Sequence, residues 1–335
     1  MISEELMEIG YENSIILDSF VKADSVINDP KYKNIMVSIS GGSDSDLMID
    51  LCEKIKGDKT IHYVWFDTGL EYQATKDHLT FLEEKYDVTI VRERAVKPIP
   101  LTVRQYGQPF LSKHASEMIS RLQKHNFKWE DKSFDELLKE YPNCKCALKW
   151  WCNVHEKSKN GMESRFNIAF NRYLKEFMIE NPPTFNVSNK CCTWAKKKVA
   201  ANYKENHSID LSLVGVRKAE GGVRATSYAN CFTAKEDVSD EYRPLFWYTD
   251  KDKFEYTSVY GVVNSKCYRE YGLTRTGCAG CPFGQKFEDE LVVIETYEPK
   301  LYKAVNNIFG DSYEYTRKYR EFQKKMKQAD KDKKN

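Results

Sequence analysis

A short loop of glycine and serine between an apolar run and an amphipathic run constrains the fold more than any other feature of this chain. The loop is Ser40-Gly41-Gly42-Ser43-Asp44-Ser45, and it follows the apolar, β-branched segment 34–39. Apolar residues then recur at helical spacing, at Leu47, Met48, Leu51, Cys52 and Ile55. The sequence therefore predicts a strand, a tight turn and a helix in succession.

The composition of this loop suits an anionic ligand. Two glycines allow the backbone to approach the ligand closely, and the serine hydroxyls can donate hydrogen bonds to phosphate oxygens. The following helix adds the N–H groups and the positive dipole end of its N-terminus. A polar turn with a Ser or Asp helix cap is the alternative, but the position between a strand and an amphipathic helix favours a phosphate site. The lysine-containing Walker loop and the GxGxxG fingerprint are absent from the sequence.

The alternation of strands and helices continues along the chain. Residues 61–66 are apolar and aromatic, Asp67-Thr68-Gly69 interrupts them, residues 71–86 have a helical pattern, and residues 88–91 predict a third strand. A fourth strand is predicted at 211–216. Further helices are predicted over residues 3–23, 162–180, from Cys191-Cys192 to about 205, and over 249–263. This order predicts an α/β fold with a doubly wound, mostly parallel sheet.

The rhythm of strands and helices is lost after residue 98, which indicates an insertion. We expect residues 1–100 to form the first part of the α/β domain, 101–185 a mostly helical and irregular insertion, 186–290 the rest of the domain with the cysteines, and 291–335 a helical tail. The 52 Lys and Arg against 50 Asp and Glu leave a net charge of +2, which favours neither nucleic acid nor membranes. Acidic residues near the N-terminus, at Glu4, Glu5 and Glu8, do not fit a signal peptide, so we expect a cytoplasmic protein without a membrane partner.

Several segments together resemble a known family. The loop is similar to the SGGxDS loop of the adenine nucleotide alpha-hydrolase group, the PP-loop enzymes, which bind ATP or a related adenylyl compound and act at its α-phosphate. Phe66-Asp67-Thr68-Gly69-Leu70-Glu71 resembles the DTG.E segment of the phosphoadenosine phosphosulfate (PAPS) reductase family. Gly215-Val216-Arg217 with Glu220 and Arg224 resembles its G.R..E...R segment, and Arg243-Pro244-Leu245, Trp247 and Asp252 resemble its next block. The resemblance spans about residues 34–285, except for 107–160.

The resemblance implies roles for individual residues. It implies nucleotide binding by Ser40, Gly41, Gly42, Ser43, Asp44, Ser45, Asp67, Thr68 and Gly69, and catalytic roles for Asp44, Arg217 and Arg224. Arginine forks suit phosphate or sulfate oxygens. Asp44 could cap the helix or assist a magnesium ion, and the sequence leaves both open. The expected ligand is ATP or a related adenine nucleotide, with magnesium.

Four cysteines form a second candidate site. Cys278 and Cys281 make a CxxC motif, in which Gly280 permits the tight turn that points two sulfurs at one metal. Cys191 and Cys192 are adjacent, and the iron–sulfur branch of the family, the adenylylsulfate reductases, carries such a pair before its CxxC motif. The resemblance therefore implies a 4Fe-4S cluster on these four thiolates. Zinc on the same cysteines, and buried cysteines with a chance CxxC, remain open, as does a weaker cluster of Cys144, Cys146, Cys152 and His155.

The C-terminal tail bears on the reaction. PAPS reductases carry a catalytic cysteine in a C-terminal Glu-Cys-Gly-Leu-His segment, whereas no cysteine follows Cys281 here. What remains resembles the ATP pyrophosphatases of DNA phosphorothioation and thiolation, which activate an acceptor with ATP before a sulfur source displaces the nucleotide. We therefore expect an ATP pyrophosphatase in sulfur transfer.

Two other functions stay open. One is a sulfonucleotide reductase that uses Cys231, Cys267 or a partner's thiol, and the other is a non-catalytic module with structural nucleotide and metal. The expected partners are an adenine nucleotide, a sulfur-donor or electron-donor protein, and a nucleic-acid acceptor. The acceptor would contact Lys196-Lys197-Lys198, the insertion or the lysine-rich tail.

Overall fold

The computed structural model describes residues 13–221, 226–235 and 238–333. The chain divides into two compact units. The first comprises residues 1–96 and 195–279, and the second comprises residues 97–194 and 280–335. The segments that carry the loop, the DTG turn and Arg217 all belong to the first unit.

A six-stranded sheet organises the described part of the first unit. Its strand order is β3-β2-β1-β4-β6-β5. The strands are β1 Ile35–Ile39, β2 Ile61–Asp67, β3 Ile90–Arg94, β4 Leu211–Val214, β5 Phe232–Thr233 and β6 Asp240–Tyr242. All neighbours pair in parallel except β5 and β6, which are antiparallel. The order reverses at β1, because β2 and β4 pair with its two sides, and this confirms the predicted doubly wound α/β fold.

The α-helices account for most of the remaining described residues. In chain order they are α1 Ser14–Ile27, α2 Ser43–Ile55, α3 Gln73–Tyr86, α4 Ile99–Tyr106, α5 Lys113–Lys124, α6 Phe134–Glu140, α7 Lys145–Trp151, α8 Leu174–Glu180, α9 Lys190–Cys192, α10 Lys198–Asn206, α11 Asp250–Val259, α12 Lys266–Arg269, α13 Phe287–Tyr297 and α14 Pro299–Asp332. Helices α1 to α3 and α10 to α12 belong to the first unit. Among the residues that the structure describes, no helix is both long and apolar enough to cross a membrane.

The first unit has apolar clusters on both faces of its sheet. Ile35, Val37 and Ile39 of β1 lie in the larger cluster, with residues of α1, α2 and α3. Met36 points to the opposite face and packs in a smaller cluster that includes Tyr203 of α10. Burial on both faces explains why the central strand β1 is apolar almost throughout rather than alternating.

The second unit is helical in its described residues and has its own aromatic core. Trp150, Trp151, Phe110 and Phe177 are buried there together with residues of the long helix α14. One face of α14 is buried, while the lysine-rich end of the helix is mostly exposed. An amphipathic pattern of this kind lets a long helix cover a core while its other face stays in water.

Several predicted elements differ from the structure in their bounds, including the fourth strand, which ends at Val214 rather than at residue 216. The helix predicted over residues 162–180 is α-helical only in α8. Before it, the buried side chain of Asn167 donates to the His155 carbonyl oxygen and accepts from the His155 N–H, so this segment is held by a contact with a residue twelve positions earlier. Tyr173, just before α8, has a left-handed φ of 63°. The third strand begins at Ile90 rather than at residue 88. The first helix begins at Ser14, capped by Asn13, and the earlier part of that prediction lies outside the described residues.

Candidate nucleotide-binding site

The loop between β1 and α2 requires glycine at two positions. Gly41 has a φ of +68°, and a Cβ atom there would lie 2.6 Å from Cγ2 of Thr75. A Cβ atom on Gly42 would lie 2.9 Å from Oγ1 of Thr276 and 3.1 Å from Oη of Tyr268. Both positions therefore exclude side chains, one by conformation and packing and the other by packing alone.

Serine side chains hold the loop against the start of α2. The Ser45 hydroxyl donates to the Gly42 carbonyl oxygen at 2.7 Å and accepts from the Gly42 N–H at 3.0 Å. The Ser40 hydroxyl also accepts from the Gly42 N–H, at 3.2 Å. The Ser43 N–H donates to the Tyr268 hydroxyl at 3.2 Å. The first turn of a 13-residue helix is thereby fixed in place, with the partial positive charge that attracts anions.

Two cations meet the carboxylate of Asp44 in this first turn. Nε of Arg217 lies 3.1 Å from Oδ1 of Asp44, and Nζ of Lys253 lies 2.6 Å from the same oxygen. Arg217 is only 7% exposed and also donates to Asp250 at 2.9 Å. Lys253 donates to the Ser43 hydroxyl as well. Two basic side chains therefore meet at Asp44, one of the two acids in the first turn of α2; the other is Asp46.

The DTG turn follows β2, the strand next to β1, so it lies at the same edge of the sheet as the loop. Oδ1 of Asp67 accepts from the Gly69 N–H at 2.9 Å, and Gly69 has a φ of +82°. Thr68 donates to Glu71 through both its N–H and its hydroxyl, and the Leu70 N–H donates to Glu71 at 3.0 Å. Burial raises the pKa of Glu71 above its ordinary value, although these hydrogen bonds oppose the shift.

The reversal of strand order brings β4 to the loop from the other side. A Cβ atom on Gly215, directly after β4, would lie 3.3 Å from Cγ of Met48 and 3.5 Å from the Asp44 carbonyl oxygen. Glycine thus allows α2 to lie close to the end of β4, from which Arg217 reaches Asp44. Open α/β sheets bind ligands at this position, outside the carboxyl ends of strands where the order reverses.

A buried pair lies slightly further along α2. Oδ1 of Asp46 is 2.9 Å from Nε2 of His78 on α3, and both side chains are almost completely buried. Burial raises the pKa of Asp46, while the hydrogen bond from His78 acts in the opposite direction. The pair joins α2 to α3 just after the loop, and sequence reasoning missed it because a charged residue in an amphipathic helix ordinarily faces solvent.

The predicted site residues are distributed as follows. The loop, the DTG turn and Arg217 come together in the first unit, and Arg224 lies outside the described residues. Sequence reasoning missed Lys253 and Tyr268, although Lys253 directly follows Asp252 in a segment that was recognised. Cys278 also belongs to the first unit, with its Sγ 3.6 Å from the Thr68 hydroxyl oxygen.

The other three predicted metal ligands belong to the second unit. Cys191 is buried, and Cys192 and Cys281 are partly buried. Four thiols are the donor type that both iron–sulfur clusters and zinc take. Among the residues that the structure describes, however, no three His, Cys, Asp or Glu side chains form a group that could hold a metal ion. The ligand set stays a prediction from the sequence.

Comparison with known proteins identifies the family. Residues 34–283 match the phosphoadenosine phosphosulfate reductase domain. The chain belongs to this family. Among curated proteins, the PAPS reductase-family chain is 25% identical over 282 residues to the uncharacterized protein MJ0066 of Methanocaldococcus jannaschii. That match covers 83% of this chain but only 42% of MJ0066, so the chain spans about two fifths of the length of this relative.

Two solved structures are distantly similar to this chain. A phosphoadenylyl-sulfate (PAPS) reductase from Candida auris, in a phosphate complex, gives a TM-score of 0.42 at 12% identity, covering 83% of this chain and 96% of that one. The U34-tRNA thiolase NcsA from Methanococcus maripaludis, with its [4Fe-4S] cluster, gives 0.39 at 12% identity, covering 92% and 78%. Both TM-scores are below 0.5, so the overall similarity of these two structures to the chain is low.

Proposed function

We propose that this chain is an adenine-nucleotide-binding enzyme that acts at the α-phosphate of ATP, as an ATP pyrophosphatase in sulfur transfer. The observation that carries the proposal is the glycine loop at the start of α2, at the reversal of strand order, in a member of the PAPS reductase family. Arg217 and Lys253 add positive charge beside the loop. An ATP phosphate chain needs this combination of backbone N–H groups, helix N-terminus and cations.

The proposed reaction has two steps. A lone pair of an acceptor oxygen forms a bond to the α-phosphorus, the bond from that phosphorus to the bridging oxygen breaks, and its electron pair leaves with pyrophosphate. Hydrosulfide supplied by a donor then attacks the activated atom of the adenylylated acceptor; a bond from that atom to sulfur forms, its bond to oxygen breaks, AMP leaves with the electron pair and the oxygen, and the hydrosulfide proton passes to solvent. The loop, Arg217 and Lys253 would stabilise the charge that develops on the phosphates, and no protein thiol takes part in the first step.

The reductase alternative requires an accessible thiolate as its nucleophile. Cys267 is fully buried beside Thr75, with its Sγ 3.6 Å from the threonine hydroxyl oxygen. Cys231 is partly buried and packs against the larger apolar cluster of the first unit, next to the edge strand β5. These surroundings support the pyrophosphatase proposal over a reductase that uses either thiol.

The proposal also includes an iron–sulfur cluster, a nucleic-acid acceptor and a sulfur-donor protein, which the sequence predicts. Cys191, Cys192, Cys278 and Cys281 would hold a 4Fe-4S cluster, and a cluster of this type supplies a redox-active group when bound. The acceptor would be a nucleic acid, because Lys196, Lys197 and Lys198 and the lysines of α14 are exposed. A sulfur-donor protein would complete the reaction.

Product analysis tests this function. Protein purified anaerobically is incubated with ATP, with adenylylsulfate or with PAPS, the last two with thioredoxin and reductant, and AMP, pyrophosphate and sulfite are quantified. We expect AMP and pyrophosphate from ATP, increased by an acceptor RNA or DNA, and no sulfite. Gly42→Val should abolish product formation, whereas Gly310→Val, within the helix α14 and with no atom within 4 Å of a Cβ, is the control for a glycine-to-valine change outside the loop.

Sulfite release would contradict the proposal. If sulfite forms from either sulfonucleotide and disappears in Cys231→Ser or Cys267→Ser, the chain is a reductase. If no product forms from ATP while ATP still binds in calorimetry, even with acceptor candidates added, the chain is a non-catalytic nucleotide-binding module.

A further inference from the structure

The role of Lys253 is not implied by the family resemblance. Lys253 lies in the first turn of α11, whose start is fixed by a capping box between Thr249 and Asp252. Asp252 also accepts from the side chain of Asn13 at 2.9 Å, which ties this helix end to the start of α1. The backbone of Lys253 is thereby fixed, while its flexible side chain carries the ammonium group to the first turn of α2.

Arg217 and Lys253 share Asp44 but differ in how firmly they are held. The Arg217 guanidinium donates to Asp44, to Asp250 and, at 3.5 Å, to the carbonyl oxygen of Tyr248, and its side chain is 8% exposed. The Lys253 ammonium donates to Asp44 and to the Ser43 hydroxyl, and its side chain is 20% exposed. A compact ammonium on a four-carbon stem exchanges partners more readily than a guanidinium held at three acceptors.

If the Lys253 ammonium moved from Asp44 to another acceptor, Asp44 would still be paired with Arg217. Removal of one partner from a partly buried ion pair is costly when it leaves the other charge without compensation. Here Arg217 stays on the same Asp44 oxygen after the lysine moves. The Ser43 hydroxyl, which Lys253 now contacts, belongs to the loop that the proposed function assigns to phosphate.

We propose that Lys253 binds the pyrophosphate end of ATP, exchanging Asp44 for phosphate oxygens, and so makes the site selective for a nucleoside triphosphate over a monophosphate. This inference rests on the proposed function, because it places the β- and γ-phosphates at the loop. The pyrophosphate group carries more negative charge than a single carboxylate, and the helix N-terminus adds to its attraction. The same contact would neutralise the charge of pyrophosphate as it leaves.

Calorimetry with three ligands tests the inference. ATP, pyrophosphate and AMP are titrated into the wild-type chain and into Lys253→Met, Lys253→Arg and Lys251→Met, the last being an exposed neighbour on the same helix. A charge-assisted hydrogen bond contributes enough for Lys253→Met to bind ATP and pyrophosphate about ten- to a hundredfold more weakly. AMP should bind with unchanged affinity, Lys253→Arg should retain most of the ATP affinity, and Lys251→Met should match the wild type.

The AMP titration separates a ligand contact from a structural role. If Lys253 only holds Asp44 and the loop in place, AMP affinity falls in parallel with ATP affinity, and the inference is wrong. It is also wrong if Lys253→Met binds ATP as tightly as the wild type while the wild type still forms AMP and pyrophosphate; the proposed function then survives without it. If the wild-type chain binds neither ATP nor pyrophosphate, the proposed function itself fails, and the inference with it.

Discussion

Replacement of Gly41 by alanine should destabilise the first unit, because of the backbone conformation of Gly41 and its close contact with Thr75. The left-handed φ of +68° costs a non-glycine residue about 1–2 kcal/mol. The new methyl group would lie 2.6 Å from Cγ2 of Thr75, which is 3% exposed, and overpacking of this kind costs about 1–3 kcal/mol. Rotation of Thr75 would remove its hydroxyl from Cys267, so the contact is not easily relieved. The expected loss is about 2–5 kcal/mol.

Gly272→Ala is the control for this prediction. Gly272 belongs to the same unit and has nearly the same φ, +69°, but a Cβ atom on it would have no other atom within 4 Å, so only the conformational cost of about 1–2 kcal/mol applies. Urea unfolding of the full chain, followed by circular dichroism, measures both variants. Thr75→Ser should cost about 1 kcal/mol alone but should recover most of the packing cost when combined with Gly41→Ala. Equal losses in the two glycine variants, or no recovery in the double variant, would refute the reasoning.

Two other predictions concern charge and metal. The pKa of Glu83 lies below its ordinary value because both Arg92 terminal nitrogens donate to it, although burial opposes the shift. Its contribution to stability is therefore present above its unfolded pKa and lost as the pH falls through its folded pKa. Glu83→Gln should lower the urea midpoint slightly at pH 7, and the difference from the wild type should shrink as the pH is lowered below the unfolded pKa. Anaerobically purified protein should be brown, and serine at any of Cys191, Cys192, Cys278 or Cys281 should bleach the visible absorbance, whereas stoichiometric zinc without iron in the wild type would support the zinc alternative.

The strands and the loop could be predicted because their signals are local. An apolar run followed by Ser-Gly-Gly-Ser and a helical pattern contains the whole of β1, the loop and the start of α2 within about two dozen residues. The same is true of β2 and the DTG turn. The error over residues 162–173 arose because apolar spacing was interpreted as a helix, whereas Asn167 binds the backbone of His155, twelve residues earlier, a contact that local spacing does not reveal.

The side chains that complete the site could not be predicted in this way. Lys253 meets Asp44, and Tyr268 meets Ser43, across more than 200 residues of sequence. No local pattern specifies such contacts, because they depend on how α11 and α12 pack once the sheet has formed. The pair of Asp46 and His78 belongs to the same class, since its partners are 32 residues apart on different helices.

Asp44 is a negative charge at the turn where we expect phosphate to bind, and it is paired with Arg217 and Lys253. A carboxylate in the first turn of α2 is stabilised by the helix dipole, yet it would repel a phosphate bound at the same turn. Arg217 and Lys253 oppose this repulsion, because they bring two positive charges to Asp44. Of the other acids nearby, Asp250 on Arg217 is 91% exposed and screened by water, and Asp46 is buried against His78. Asp44 keeps two like charges together at the loop when no anion is present. Its replacement by alanine should therefore weaken nucleotide binding, because the repulsion between the two cations would then displace the more mobile Lys253 from the loop.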